Sequence, residues 1–179
     1  IEKIMSEINI PCIVKPNNGG SSIGVSKVNH IYDLENKIKI AFKECNEVLI
    51  ENFLFGKEVS VGVIQKKDER IILPVTEIIS ENELFDYGAK YLGQSTEITP
   101  ANISNEEKKL IQKYINIIYD NIEFNGFTRS EFIIVDGIPH ILETNTIPGF
   151  TKQSIIPQQI EAHGLSVRDE INYQIESIL

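Results

Sequence analysis

Two carboxylates, one amide oxygen and one arginine fall within a short stretch of this chain. Arg129 and Glu131 lie in Phe127-Thr128-Arg129-Ser130-Glu131-Phe132. Glu143 and Asn145 lie in Ile141-Leu142-Glu143-Thr144-Asn145-Thr146-Ile147-Pro148-Gly149-Phe150. Magnesium takes hard oxygen ligands, commonly carboxylates completed by phosphate oxygens and water. An arginine beside such a site stabilises charge on a transferring phosphoryl group. The set therefore points to nucleotide chemistry, provided that the chain brings the four residues together.

A hairpin would do so. Strand side chains alternate faces, so Arg129, Glu131 and Ile133 share one face, as do Glu143 and Asn145. Asp136-Gly137 is a turn signal. A two-residue loop at 136–137 sets Glu131 opposite Leu142 and puts the two glutamates on opposite faces. A three-residue loop over 136–138, with Gly137 or a bulge absorbing the extra residue, sets Glu131 opposite Glu143 and Arg129 opposite Asn145. The second register is expected, since it alone makes a metal site. The plain alternative is a solvated hairpin with polar residues on its outer face.

The elements that would hold this hairpin are legible nearby. Pro11–Lys15 reads as a strand, residues 17–24 as a Gly/Ser loop and Val25–Val28 as a return strand. Glycines let backbone N–H groups approach phosphate oxygens. Ser21 and Ser22 add hydroxyls, and Lys15 adds charge at the loop base. The spacing is neither a Walker loop nor a dinucleotide fingerprint, and a Gly/Ser turn with no ligand is the ordinary case. Leu34, Ile38, Ala41 and Cys45 recur at helical spacing, with Asp33 near the start. Glu47–Glu51, Lys57–Gln65 and Ile71–Ile79 read as strands, with Val59, Val61 and Val63 on one face and Pro74 marking an edge or bulge. Glu51 and Glu58 could serve base and ribose, or be solvated acids of an edge strand. Residues 80–102 are polar, with Phe85, Tyr87 and Tyr91, and read as a functional flap. Ser104 with Glu107 predicts a capping box and a helix turning Leu110, Ile111, Tyr114, Ile115 and Ile118 inward. Ser166 with Asp169 opens a last amphipathic helix through Val167, Ile171, Ile175 and Ile178. Hairpins mixed with helices predict an α+β fold.

The whole chain bounds the partners. It has 179 residues, 41% hydrophobic and 24% charged, which is ordinary for a globular protein. A net charge of −9 argues against a nucleic-acid partner or an acidic membrane surface. No run is apolar enough to span a bilayer, and the first residues lack the apolar core of a signal peptide. Cys12 and Cys45 are expected as buried free thiols, which fits a cytoplasmic location. His30, His140 and His163 have no zinc-ligand spacing, and no Ser/His/Asp triad is evident.

Taken in order, Val14-Lys15-Pro16, Gly20-Ser21-Ser22-Ile23-Gly24, Val48-Leu49-Ile50-Glu51, Asp86-Tyr87-Gly88-Ala89-Lys90-Tyr91-Leu92, Arg129-Ser130-Glu131 and Glu143 through Phe150 resemble the D-alanine–D-alanine ligase family of the ATP-grasp superfamily. The resemblance runs over nearly the whole chain. It implies an ATP-grasp fold with antiparallel sheets and flanking helices in two lobes. Residues 1–58 would be part of the central, nucleotide-clamping lobe, and 59–179 the C-terminal lobe with metal site and flap. The family's N-terminal domain, with its glutamate for the first substrate amine and a further lysine, would not be in this chain, which reads as a C-terminal portion. The family's reaction joins two D-alanines through an acylphosphate made with ATP, for peptidoglycan. By matching motif, Lys15 and Ser22 would meet ATP phosphates. Glu51 and Leu54 would take adenine, Glu58 the ribose, and Leu142 would join the nucleotide set. Glu131, Glu143 and Asn145 would hold two magnesium (or manganese) ions. Arg129 and the Gly149 N–H would stabilise the tetrahedral intermediate, and Ser154 would hold the second substrate's carboxylate. Ser21 would orient Tyr91, and Lys90 would reach the transferring phosphate. Position 131 is Glu where the family usually has Asp. Lys90-Tyr91 implies D-alanine rather than D-lactate as acceptor. The full-length family is expected to be homodimeric. Another ATP-grasp carboxylate–amine ligase, or a non-catalytic ATP-binding module, are the competing readings.

Overall fold

The computed structural model describes residues 1–80 and 95–179. The chain divides into two compact units. The first holds Ile1–Leu54 with Ser80–Thr96, and the second holds Phe55–Ile79 with Glu97–Leu179. The division falls between Leu54 and Phe55, ahead of the 58/59 boundary, and so places Glu58 in the second unit.

In the first unit, α1 (Glu2–Met5) precedes β1 (Cys12–Pro16), β2 (Ser26–Val28), α2 (Ile31–Ala41) and β3 (Val48–Asn52). The strands form an antiparallel sheet in the order β2–β1–β3. Cys12 and Val14 alternate inward from β1. With Val28, Leu34 and Ala41 they make a fully buried cluster, and α2 covers that face through its Leu34, Ile38 and Ala41 stripe. Asp33 lies in the first turn, with His30 at the cap. Cys12 is buried as expected, but Cys45 lies past the end of α2 and is only half-buried.

In the second unit, β4 (Lys57–Gln65), β5 (Arg70–Ile72), β6 (Thr76–Ser80), β7 (Ser95–Ile98), β8 (Gly126–Val135) and β9 (Ile138–Asn145) form one sheet among the described residues. Its order is β7–β6–β4–β8–β9, with β5 also against β4. The helices are α3 (Asn105–Asn121), α4 (Ile155–Ala162) and α5 (Val167–Glu176). Val59, Val61, Val63, Phe132 and Ile134 line one face and pack on Ile111, Ile115 and Tyr119 of α3. Burying each such side chain contributes about 1.5–3 kcal/mol. On the opposite face, Ile64 and Leu73 pack on Ile156 and Ile160 of α4.

Several elements differ from the sequence expectation. The strand expected over Ile71–Ile79 is broken into β5 and β6 around Pro74, which has no N–H to give a ladder. The polar segment 80–102 ends in a strand, β7. Helix α4 carries no signal beyond a short apolar run interrupted by Pro157, which the first turn of a helix tolerates. In the last helix Glu170, not an isoleucine, is buried. Its carboxylate pairs with Lys66 at 3.0 Å, while Ile175 is 53% exposed and Ile178, beyond the helix, 84%. The capping box of α3 is present: Glu107 N–H donates to Ser104 Oγ at 3.1 Å, and Ser104 N–H to Glu107 Oε2 at 2.6 Å.

Candidate functional site

The β8–β9 hairpin reaches the expected apposition by a different route. Val135 pairs with Ile138, so the turn is the two-residue Asp136-Gly137. Both residues have positive φ, 49° and 79°, as a tight right-twisted hairpin turn requires. This turn alone would put Glu131 opposite Leu142. The expected three-residue loop is therefore corrected. The extra residue is absorbed at Leu142, in a bulge: Phe132 pairs with Ile141, but Glu131 pairs with Glu143 and Arg129 with Asn145. On the reverse face Ser130 and Thr144 hydroxyls meet at 2.8 Å.

Strand β4 extends the site. Gly62 pairs with Arg129, Ser60 with Glu131 and Glu58 with Ile133. Directly paired residues share a face. Glu58, Ser60 and Gly62 thus lie on the same face as Arg129, Glu131, Glu143 and Asn145. Helix α4 covers the Gly62 end of this face.

Charge is concentrated there. Arg129 pairs with Glu131 at 2.6 Å, their side chains only 14% and 4% exposed. The Arg129 Nε is buried and has no hydrogen-bond partner among the described residues. Glu97 on β7 joins this neighbourhood, a residue the sequence reading missed because it lies in the polar stretch leading out of the flap. Burial pushes its carboxyl pKa up, while Arg129 and the Gln158 amide, at 3.4 Å, pull it back.

Among the described residues no three His, Cys, Asp or Glu side chains cluster as a metal cage. Two facing carboxylates and an amide oxygen fit a different case: magnesium usually binds through one or two carboxylates and completes its shell with substrate phosphates and water. The Asn145 Oδ1 accepts from Ile147 N–H at 3.0 Å, which orients that oxygen and leaves it a second lone pair.

Beyond the hairpin, Gly149 and Ser154 come together. A Cβ on Gly149 would lie 3.0 Å from Ser154 Oγ. Ser154 caps α4 in position but not by hydrogen bond. Its hydroxyl turns instead to Thr151, 3.1 Å from the N–H and 2.9 Å from Oγ1. Thr151 was not singled out from the sequence.

In the first unit, Lys15 pairs with Glu51 at 2.8 Å across β1 and β3. The Gly/Ser loop is anchored by Asn17, whose N–H donates to Glu47 O at 2.9 Å and whose side-chain amide donates to the Glu47 carboxylate at 2.8 Å. Ser21 and Ser22 both hold left-handed φ, 54° and 58°, a conformation costly for residues with a Cβ. Cβ atoms on Gly19 and Gly20 would meet nothing within 4 Å among the described residues. Before Leu54, the Phe53 ring stacks under Lys27, 4.0 Å from its centroid, a pair with no signal in the sequence. Lys90 and Tyr91 lie outside the described residues.

Comparison with known proteins gives the family and the fold. Residues 1–176 match the family model described as D-ala D-ala ligase C-terminus. The D-alanine–D-alanine ligase of Flavobacterium johnsoniae is 51% identical over 174 residues, 97% of this chain and 54% of that protein. The D-Ala:D-Ser ligase VanG of Enterococcus faecalis superposes with a TM-score of 0.84 at 33% identity, over 98% of this chain and 51% of that one. The D-alanine–D-alanine ligase of Bacillus anthracis complexed with ATP superposes at 0.77 and 27% identity, over 94% and 52%. The chain spans about half the length of the relatives that it matches. With its antiparallel sheets, flanking helices and this match along nearly its whole length, the chain belongs to the D-Ala–D-Ala ligase C-terminus family, of ATP-grasp fold.

Proposed function

We propose that this chain supplies the nucleotide, metal and acceptor half of an ATP-dependent D-alanine–D-alanine ligase. The observation that carries the reading is the bulged register, which sets Glu131 against Glu143 and Arg129 against Asn145 on one face that also bears Glu58. In the proposed reaction a carboxylate oxygen of one D-alanine attacks the γ-phosphorus of ATP. The bond to ADP breaks and an acylphosphate forms. The neutral amine of a second D-alanine then attacks the acyl carbon, and inorganic phosphate leaves with the electron pair of the broken C–O bond.

The residues divide this work by charge and reach. Lys15 and the hydroxyl and N–H groups around Ser21 and Ser22 meet phosphate oxygens. Glu51 and the backbone at Leu54 take the adenine, Leu142 joins the nucleotide set, and Glu58 takes the ribose hydroxyls. Glu131, Glu143 and Asn145 hold magnesium, in two ions, whose charge offsets that of the phosphates. Arg129, with the Gly149 N–H, donates to the oxygen that gains charge at the acyl carbon. Ser154 holds the acceptor carboxylate. Ser21 orients Tyr91, and Lys90 approaches the transferred phosphoryl group. Such chemistry depends mainly on positioning and charge neutralisation. Its product would feed peptidoglycan synthesis in the cytoplasm. Among the described residues no helix is long and apolar enough to cross a membrane. The N-terminal half found in the relatives would supply the first D-alanine's site, so this chain alone is expected to make little dipeptide. The complete ligase is expected to be a homodimer.

Calorimetric titration with a non-hydrolysable ATP analogue, with and without magnesium, tests the reading. Magnesium-dependent binding that is lost in Glu143→Gln is the expected result. Binding that ignores both magnesium and the substitution would overturn it.

A further inference from the structure

Strand β4 has a gap beside it. Its flank pairs with β6 at Glu58–Ser60 and with β5 at Val63–Gln65. Between them the neighbouring chain passes through Leu73-Pro74-Val75. There Leu73 N–H donates to Gly62 O at 2.9 Å, but Pro74 has no N–H to offer. A single side chain from α4 fills the opening. The Gln159 Oε1 accepts from Gly62 N–H at 2.8 Å, and its Nε2 donates to Ser60 O at 3.0 Å. The carboxamide thus stands in for the missing peptide group. The second Nε2 hydrogen goes to Thr76 Oγ1 at 2.9 Å, which in turn meets Thr99 Oγ1 at 2.6 Å. Gln159 is fully buried, and a Cβ on Gly62 would lie 2.5 Å from its Oε1.

The two β4 residues it grips are the cross-strand partners of Arg129 and Glu131. Ser154 stands at the N-cap of its helix. The preceding residue, Gln158, reaches the Glu97 carboxylate at 3.4 Å and the Gln153 carbonyl at 2.9 Å. Glu97 and Thr99 both lie shortly after residues 81–94 in the sequence.

We propose that Gln159, with Gln158 beside it, is a positioning residue of the ligase site: it fixes the acceptor helix against the strand pair bearing Arg129 and Glu131, and ties down β7. The proposal rests on the ligase reading above for its functional consequence. A spacer that merely filled the gap would be replaceable by an isosteric apolar side chain. A positioning amide is not, because the Gly62 N–H and Ser60 C=O would lose their partner and β4 would shift under the arginine.

The test is Gln159→Met in the full-length ligase, with half-buried Gln158→Met as the second variant should the first fold poorly. Acceptor KM for D-alanine is expected to rise, and kcat/KM to fall, about tenfold or more. The dissociation constant of the magnesium–ATP analogue, which Lys15, Glu51, Glu58, Glu143 and Asn145 also hold, should change by a smaller factor than the acceptor KM. Equal changes in both, or in neither, would overturn the proposal. Amide exchange at Gly62 and along β7, read by NMR on this chain, separates the two readings. If the wild-type ligase binds no nucleotide and makes no dipeptide, the ligase reading falls. Faster exchange at those amides in Gln159→Met would still uphold the tie, and unchanged exchange would refute it.

Discussion

Replacing Gly62 with alanine is the sharpest perturbation of this site's foundation. The added Cβ would lie 2.4 Å from Ile156 Cδ1, 2.5 Å from Gln159 Oε1 and 2.9 Å from Leu73 Cδ1. The isoleucine and leucine methyls can rotate, at the usual overpacking cost of about 1–3 kcal/mol. The Gln159 oxygen cannot withdraw without releasing the Gly62 N–H that it accepts from, and an unsatisfied buried donor costs about 1–3 kcal/mol more. The sum is roughly 2–6 kcal/mol, a large share of the 5–15 kcal/mol that a typical domain possesses. Gly20→Ala is the control. Its Cβ meets nothing within 4 Å among the described residues and its φ is not positive, so its stability should change by less than about 0.5 kcal/mol. Urea denaturation followed by circular dichroism measures both. A Gly62→Ala loss under about 1 kcal/mol would refute the reasoning, because α4 could not then sit against β4 as described.

Three further outcomes follow from the geometry. Ser104→Ala removes one half of the α3 capping box and should cost about 0.5–2 kcal/mol in the same assay. Lys15→Met breaks an ion pair whose side chains are 23% and 46% exposed, so solvent screens it in part and stability should move by no more than about 1 kcal/mol. Its nucleotide affinity by calorimetry should nevertheless fall about tenfold or more, the usual worth of a hydrogen bond to a charged group. Glu97 titrates higher in the folded chain than its ordinary value of 4.5. The folded state therefore binds more protons than the unfolded state between those two values, and stability falls as pH rises through that interval. Glu97→Gln should gain on the parent across the interval and match that trend nowhere below it. Urea midpoints on both sides of the glutamate range would show this, and a difference that does not vary with pH would refute it.

Much of the site was legible because strand alternation is local. Arg129 and Glu131, and Glu143 and Asn145, each share a face wherever the hairpin forms. Requiring the two pairs to meet gave the right apposition with the wrong device, since composition does not distinguish a longer loop from a bulge at Leu142. Glu97 and Gln159 were illegible for another reason. Each acquires its role from a partner distant in sequence: Glu97 from Gln158 and Arg129, Gln159 from Gly62, Ser60 and Thr76. Pro74 broke a strand that its apolar neighbours predicted, and the resulting gap is what gives a buried glutamine its place. Local pattern records which way a side chain faces, not which vacancy it will fill.

The bulge at Leu142 works as a clutch between the tip of the hairpin and its carboxylates. Beyond it, Val135 to Ile138 turn through an exposed Asp136-Gly137 with no contact near an added Gly137 Cβ. Residues inserted in equal number on the two strands at that tip leave the pairing at 131 and 143 unchanged, because both strands lengthen together. Deleting Leu142 itself would give a regular hairpin with the same two glutamates apposed. The tip is thus free to drift in length and sequence, and it offers a port where an epitope or a fluorophore loop can be grafted without dephasing the metal ligands.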